Sequence, residues 1–340
     1  MIRFPYISGC FDMNCVDSCR IVSLANVGQA EATYSVLLSS NWRPAKNQRH
    51  SCYTSPVPQP AHHRAPVITV INLKGGVGKT HTVWTMLGAA EEAGQRVLAG
   101  DTDTQANLTR SLLTEPSSDL LDITALFDPA LEPDCSQLIH STPFSHIDLL
   151  PSNRALRQFD LTDREAWERS DLHLNLAEFV DEVRRDYDLI LIDCPPRLSL
   201  VSFAALCAAD FVVIPLEAAD WGAQGVVEVT EAVEYTQKHY NPKLQLLGYL
   251  ISRFKRRRHY QVSYAAKLRQ HFGDLAFDTV IPDLARYEKS VTHGVPITLF
   301  APASREAQIA RQLFAEVKRR IKQCRGRRAA SCRKNVLVAS

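Results

Sequence analysis

The chain has 340 residues, of which 45% are apolar and 22% charged, with 39 Lys plus Arg against 37 Asp plus Glu. That is enough apolar material for a sizeable core and excludes a globally disordered chain. The near balance of charge means that net charge does not mark a nucleic-acid binder, although the middle of the chain is acidic and its end basic.

Residues 1–64 show no sustained periodicity and close on the Pro- and His-rich stretch Pro56-Val57-Pro58-Gln59-Pro60-Ala61-His62-His63-Arg64. That is linker chemistry and predicts a flexible, poorly ordered N-terminal extension. Its start, Met1 to Pro5, lacks the apolar stretch of a secretory signal. Four of the nine cysteines, Cys10, Cys15, Cys19 and Cys52, fall here; the trio Cys10, Cys15 and Cys19 lacks a fourth well-spaced metal ligand, and no two cysteines have the two-residue spacing of a zinc or redox site. Reduced thiols in a cytoplasmic protein are the expectation, with Cys194 and Cys207 buried in apolar runs.

From residue 65 to 323 the pattern is regular. Val67 to Leu73 is a β-branched run suited to a buried parallel strand. A glycine-rich turn follows, then a helix over Thr80 to Ala93 closed by Gly94. Further strands are predicted at Arg96–Gly100, Ile147–Leu150, Asp188–Asp193, Phe211–Pro215, Gln245–Ile251 and Thr279–Pro282, with helical spans between them, one of them running to Arg185. The apolar run Leu198 to Leu216 is long enough to raise the question of a membrane span, but Asp210 and Pro215 make it read as a core helix followed by a buried strand. Alternating strands and helices predict a single α/β domain: a mostly parallel twisted sheet with helices on both faces, and ligands at the carboxyl ends of the strands. Residues 324–340 form a basic C-terminal tail.

The strongest chemical signal is Lys74-Gly75-Gly76-Val77-Gly78-Lys79-Thr80 after the first strand. Glycines let the backbone curl so that successive N–H groups point at phosphate oxygens, Lys79 at the helix start reaches the β- and γ-phosphates, and the Thr80 hydroxyl can ligate Mg²⁺. The alternative, a glycine-rich turn without a ligand, leaves the order strand, glycines, Lys-Thr, helix unexplained. Asp101 and Asp103 follow the second predicted strand, and Asp193 ends the Asp188–Asp193 strand just before Pro195-Pro196.

These blocks resemble the ParA/MinD/Soj family of deviant Walker ATPases. The resemblance rests on KGGVGKT at 74–80, on Gly100-Asp101-Thr102-Asp103-Thr104-Gln105-Ala106-Asn107-Leu108, on Tyr187 to Pro196, and more weakly on Val280-Ile281-Pro282 through Ile297. It implies an ATP-binding, slowly hydrolysing P-loop ATPase with Mg²⁺ as cofactor. It further implies that Lys74 reaches across a homodimer to the partner's ATP, in the manner of an arginine finger. Asp103 then positions the attacking water, and Asp101 and Asp193 hold the magnesium's water shell. The nucleotide would contact Lys74, Gly75, Gly76, Val77, Gly78, Lys79, Thr80 and His81, and the stretch Ile251 to Arg258 together with Pro282 and Asp283 corresponds to regions that approach the adenine. Departures are His81 where the family usually has Thr, Asp103-Thr104-Gln105 for D-P-Q, and Ile251 to Arg258 for T-x-Y-D-x-R. His81 is equally a helix-surface histidine.

Two basic runs bear on the surface this ATPase acts on. One is Arg253, Lys255, Arg256, Arg257 and Arg258; the other contains Lys318, Arg319, Arg320 and Lys322 and continues into the tail. The family's plasmid and chromosome members bind DNA non-specifically, so these side chains are expected to neutralise phosphates, unless they only solvate the surface. The resemblance also implies nucleoid association and a centromere-binding, ParB-like activator. The second reading is a MinD-like membrane-associated regulator, based on Ile309, Leu313, Val317 and Ile321 recurring at helical spacing among basic residues. The same stripe also suits packing onto the core. An iron–sulfur carrier ranks low, since Cys135 has no suitably spaced partner.

Overall fold

The computed structural model describes residues 64–113, 121–163, 168, 170–218 and 223–338. The N-terminal extension, with Cys10, Cys15 and Cys19, lies outside the described residues.

Strands form where β-branched and aliphatic residues run together: β1 (Val67–Val70), β2 (Val97–Asp101), β3 (His140–Ser141), β4 (Ile147–Leu150), β5 (Leu189–Asp193), β6 (Phe211–Glu217) and β7 (Gln245–Ser252). Between them lie helices α1 (Lys79–Glu92), α2 (Asn107–Leu112), α3 (Cys135–Leu138), α4 (Asn175–Val183), α5 (Leu200–Ala208), α6 (Ala223–His239), α7 (His259–Phe272), α8 (Ala285–Thr292), α9 (Ile297–Phe300) and α10 (Arg305–Val338). The sheet order is β3-β4-β2-β5-β1-β6-β7. All pairs are parallel except β3 with β4, an antiparallel two-residue edge that the sequence pattern does not announce.

Alternation along each strand divides the core in two. Ile190 and Ile192 face a layer made by α4, α5, α6 and α7. Leu189 and Leu191 face the other layer, made by α1, α2, α8, α9 and α10. The Leu198–Leu216 run is the predicted core helix and buried strand, and no helix of the described residues is long and apolar enough to cross a membrane. Cys194 and Cys207 are buried free thiols, as expected.

Three boundaries differ from the sequence expectation. β1 ends at Val70, although Ile71 N–H still donates to Val213 O at 3.1 Å. The predicted strand Thr279–Pro282 is not a continuous strand: isolated bridges, Tyr249 with Ala276 and Phe254 with Pro282, and scattered backbone hydrogen bonds such as Ile281 N–H to Ile251 O at 2.9 Å join this segment to β7 and its end. The reason is tertiary, because the Glu316 carboxylate, remote in sequence, takes the backbone N–H groups of Asp278 and Thr279, each at 2.8 Å, away from any ladder. The C-terminal helix runs unbroken through the boundary drawn at residue 324, to Val338.

The crossover that matters for function is the insertion of β5 between β1 and β2. It brings the carboxyl ends of three strands, and the loops that follow them, to one place.

Candidate functional site

The loop after β1 begins with Asn72, whose side chain donates to Pro215 O at 2.7 Å and accepts from Lys74 N–H at 2.8 Å. This anchors the chain to β6 as it leaves the sheet. Gly76 (φ +76°) and Gly78 (φ +86°) adopt left-handed conformations in which side-chain-bearing residues are strained, whereas Gly75 does not. Of the three loop glycines, then, two are required by backbone conformation. Gly78 caps α1, so the loop delivers Lys79 and Thr80 into the first helical turn. The ammonium of Lys79 is buried and donates to Lys74 O at 3.2 Å. Burial pulls its pKa down, and the carboxylates of Asp193 and Asp103 oppose that shift.

Opposite the loop, Asp101 and Asp193 are register partners at the ends of β2 and β5. Asp101 is fully buried and accepts Asp103 N–H at 3.0 Å, Thr109 N–H at 2.9 Å and the Thr109 hydroxyl at 2.8 Å. Burial outweighs these hydrogen bonds and pushes its carboxyl up to about 6. Asp193 is pushed up further, first by burial and then by Asp101, with the Thr80 hydroxyl and the Lys79 ammonium acting in the opposite direction. Neither Asp193 oxygen has a hydrogen bond of normal geometry among the described residues. A buried carboxylate left in that state is costly and normally has an explanation such as an ion. Two carboxylates and the Thr80 hydroxyl are hard oxygen donors, the set that suits magnesium and its water shell. Asp103 is held in a tight turn: its carboxylate accepts Gln105 N–H at 2.9 Å and its carbonyl accepts the Ser152 hydroxyl at 2.8 Å.

The structure therefore brings Lys79, Thr80, Asp101, Asp103 and Asp193 together. His81 departs from the expected phosphate contact. Its ring packs edge-on against Tyr287 at 4.6 Å, its Nε2 is buried, and burial lowers its pKa to about 4, so it is neutral near pH 7. Pro282 and Asp283 lie against the end of β7: Pro282 bridges to Phe254, Asp283 N–H donates to Phe254 O at 3.0 Å, and its carboxylate pairs with Lys255 at 2.9 Å.

The basic runs do not behave as units. Arg320 is not a surface charge, which corrects its assignment to a DNA-binding face. Its guanidinium is buried over the Phe277 ring at 4.2 Å and donates to the carbonyls of Leu247, Asp274 and Ala276 and to Glu316. It ties α10 to β7 and leaves no donor face for a phosphate. Arg319 is exposed but paired with Asp278 at 2.8 Å. Lys318, Lys322, Arg256, Arg257 and Arg258 remain exposed. Arg253 leaves its run altogether: it donates to Gly76 O in the phosphate-type loop at 3.1 Å. Ser252, from the Ile251–Arg258 stretch but with no individual role expected from sequence, donates to Val77 O in the same loop. Of the stripe, Leu313, Val317 and Ile321 are buried against the α1 side of the sheet rather than left free, and Ile309 is buried as well.

Fold and site together define the P-loop class of nucleotide-dependent ATPases. Within that class, the chain belongs to the ParA/MinD/Soj family. The family model described as an AAA domain matches residues 65–246. The chain is 32% identical over 252 residues to the sporulation initiation inhibitor protein Soj of Bacillus subtilis, covering 74% of this chain and 97% of Soj. It is 28% identical over 256 residues to the chromosome partitioning protein ParA of Caulobacter vibrioides, covering 74% of this chain and 93% of ParA. Among solved structures, cobyrinic acid a,c-diamide synthase from Mycobacterium smegmatis, with bound ADP and magnesium, superposes with a TM-score of 0.63 at 26% identity, covering 76% of this chain and 96% of that one.

Proposed function

We propose that this chain binds Mg-ATP and hydrolyses it slowly as a dimer-dependent switch in plasmid or chromosome partition. The observation that carries the reading is the Lys74–Thr80 loop set against Asp101, Asp103 and Asp193 at the ends of neighbouring strands. In this reading Lys79 and the loop bind the phosphates. Thr80, Asp101 and Asp193 hold the magnesium, which supplies charge neutralisation of the phosphates. Asp103 accepts a hydrogen bond from the attacking water and orients it. Lys74 supplies a cation to the partner protomer's nucleotide, so hydrolysis requires two copies.

Non-specific DNA is the surface we assign to the ATP-bound dimer, through the exposed Arg256, Arg257, Arg258, Lys318 and Lys322. Dimerisation doubles this footprint, so ATP raises DNA affinity and hydrolysis releases the protein from the nucleoid. A ParB-like activator fits the same scheme. The membrane alternative loses its sequence basis, because its apolar stripe packs into the core.

The test is ATPase turnover and DNA binding in Lys74→Ala and Asp103→Ala. Both are expected to lose hydrolysis, and unchanged turnover in both sinks the reading. ATP-dependent, salt-sensitive binding to sheared DNA is expected; binding to anionic vesicles in its place would transfer the switch to a membrane.

A further inference from the structure

We propose that Arg253 is a positioning residue of the nucleotide site, bracing the phosphate-binding loop from outside so that nucleotide affinity depends on it. The proposal rests on the reading of that loop as the ATP site.

By sequence, Arg253 is simply the first of five basic residues at the end of β7, and a solvated charge is the ordinary expectation. The geometry sets it apart from the others. Its Nη1 donates to Gly76 O at 3.1 Å. A Cβ built at Gly78 would lie 3.8 Å from the Arg253 Cγ, and one built at Gly76 would lie 3.8 Å from its Nη1. The side chain is therefore laid along the loop from Gly78 to Gly76, with its Cγ beside the first and its Nη1 hydrogen-bonded to the second. Its neighbour Ser252 holds the residue between those two glycines, donating to Val77 O. Two consecutive residues of β7 and its exit thus hold two consecutive carbonyls of the loop.

The backbone indicates that this placement is imposed. Arg253 has φ +50°, a left-handed conformation that costs a non-glycine residue on the order of 1 kcal/mol. It is held by bonds on either side: Ile281 N–H to Ile251 O at 2.9 Å before it, and Phe254 N–H to Ile281 O at 3.1 Å and Asp283 N–H to Phe254 O at 3.0 Å after it. With ordinary strand torsions the side chain would leave in a different direction. The fold maintains a strained residue at the one position from which a guanidinium reaches Gly76.

The physical gain follows from the loop's composition. Two left-handed glycines make it the segment with most conformational freedom to lose when phosphates order it. Fixing its outward carbonyls beforehand reduces that loss, which is how preorganisation raises affinity. A guanidinium has five N–H donors, and Gly76 O takes one of Arg253's, so the exposed remainder keeps a positive charge beside the loop in each protomer's own site.

The experiment compares Arg253→Gly, Arg253→Ala and Arg253→Lys with Lys79→Ala in the full chain. It measures the Kd for a fluorescent N-methylanthraniloyl ATP with Mg²⁺, steady-state KM and kcat, and Tm. Arg253→Gly removes the guanidinium and the backbone strain together, so it folds even if the alanine variant does not. The expected result is an affinity about tenfold weaker in the glycine variant, with KM raised by a similar factor, a smaller change in kcat and an undiminished Tm. Arg253→Lys is expected to recover part of the affinity. Wild-type affinity in Arg253→Gly, with affinity lost in Lys79→Ala, overturns the brace while leaving the ATP site standing. Wild-type affinity in Lys79→Ala overturns the ATP site and the brace with it.

Discussion

Asp101 and Asp193 stand as register partners on adjacent parallel strands, both buried, with three hydrogen bonds accepted by the first and none of normal geometry by the second. Burial and mutual repulsion thus make ionisation of both carboxyls unfavourable in the nucleotide-free protein. Replacing Asp193 by Asn removes the buried charge and keeps the shape. The expected outcome is a nucleotide-free protein more stable by roughly 1 kcal/mol, or a few degrees in Tm, that no longer hydrolyses ATP. The pH dependence has a definite sign. Asp101 is raised to about 6, so the folded state keeps a proton that the unfolded chain gives up in the ordinary carboxylate range, and this pair's contribution to stability falls as pH rises towards 6. Denaturation of Asp193→Asn across pH 4 to 7 should show a weakened slope of that sign; a lower Tm than wild type at every pH counts against the account.

Gly88 lies where α1 meets the segment leading into α9. A Cβ there would fall 2.5 Å from Pro296 Cβ and 2.9 Å from the Thr298 hydroxyl, which itself donates to Gly88 O. Alanine is the better helix former by about 1 kcal/mol, but overpacking of this kind costs roughly 1–3 kcal/mol. Gly88→Ala is therefore expected to lower stability in urea titration. A gain would mean that the Pro296 segment yields freely.

Glu92 and Arg311 join the end of α1 to α10 through two 2.7 Å hydrogen bonds. The bond from Arg311 holds the Glu92 carboxyl below its usual range. The stability it supplies is present above the ordinary Glu pKa and is lost as pH falls through the lower folded value. Both side chains are partly exposed, so a double-mutant cycle at pH 7 should give about 0.2–1 kcal/mol, smaller in high salt. The coupling is expected to vanish once the pH has fallen through the lowered Glu92 value.

Leu313 separates the two uses of the C-terminal helix. It is fully buried in the α1-side core, and truncating such a leucine costs about 2–5 kcal/mol. Leu313→Ala should lower Tm strongly and leave binding to anionic vesicles unaffected. Vesicle binding that falls with this substitution at unchanged Tm would restore a membrane role to the stripe.

The sequence by itself determined the α/β class, six of the seven strands and most of the site. Those features are local: β-branched runs make buried strands, and glycine, lysine and threonine spacing makes a phosphate loop wherever a strand precedes it. Asp101, Asp103 and Asp193 were legible because each sits at or just beyond a recognisable strand end. Tertiary structure alone decided the rest. Insertion of β5 between β1 and β2 made register partners of two carboxylates that lie far apart in the chain. The two basic runs were sorted by their tertiary contacts, which no count of charges reveals: Arg320 went into the core and the exposed Arg253 onto the loop. Glu316 took the backbone donors of Asp278 and Thr279 and so undid a predicted strand. In each case the outcome depends on partners remote in sequence, which a local pattern does not encode.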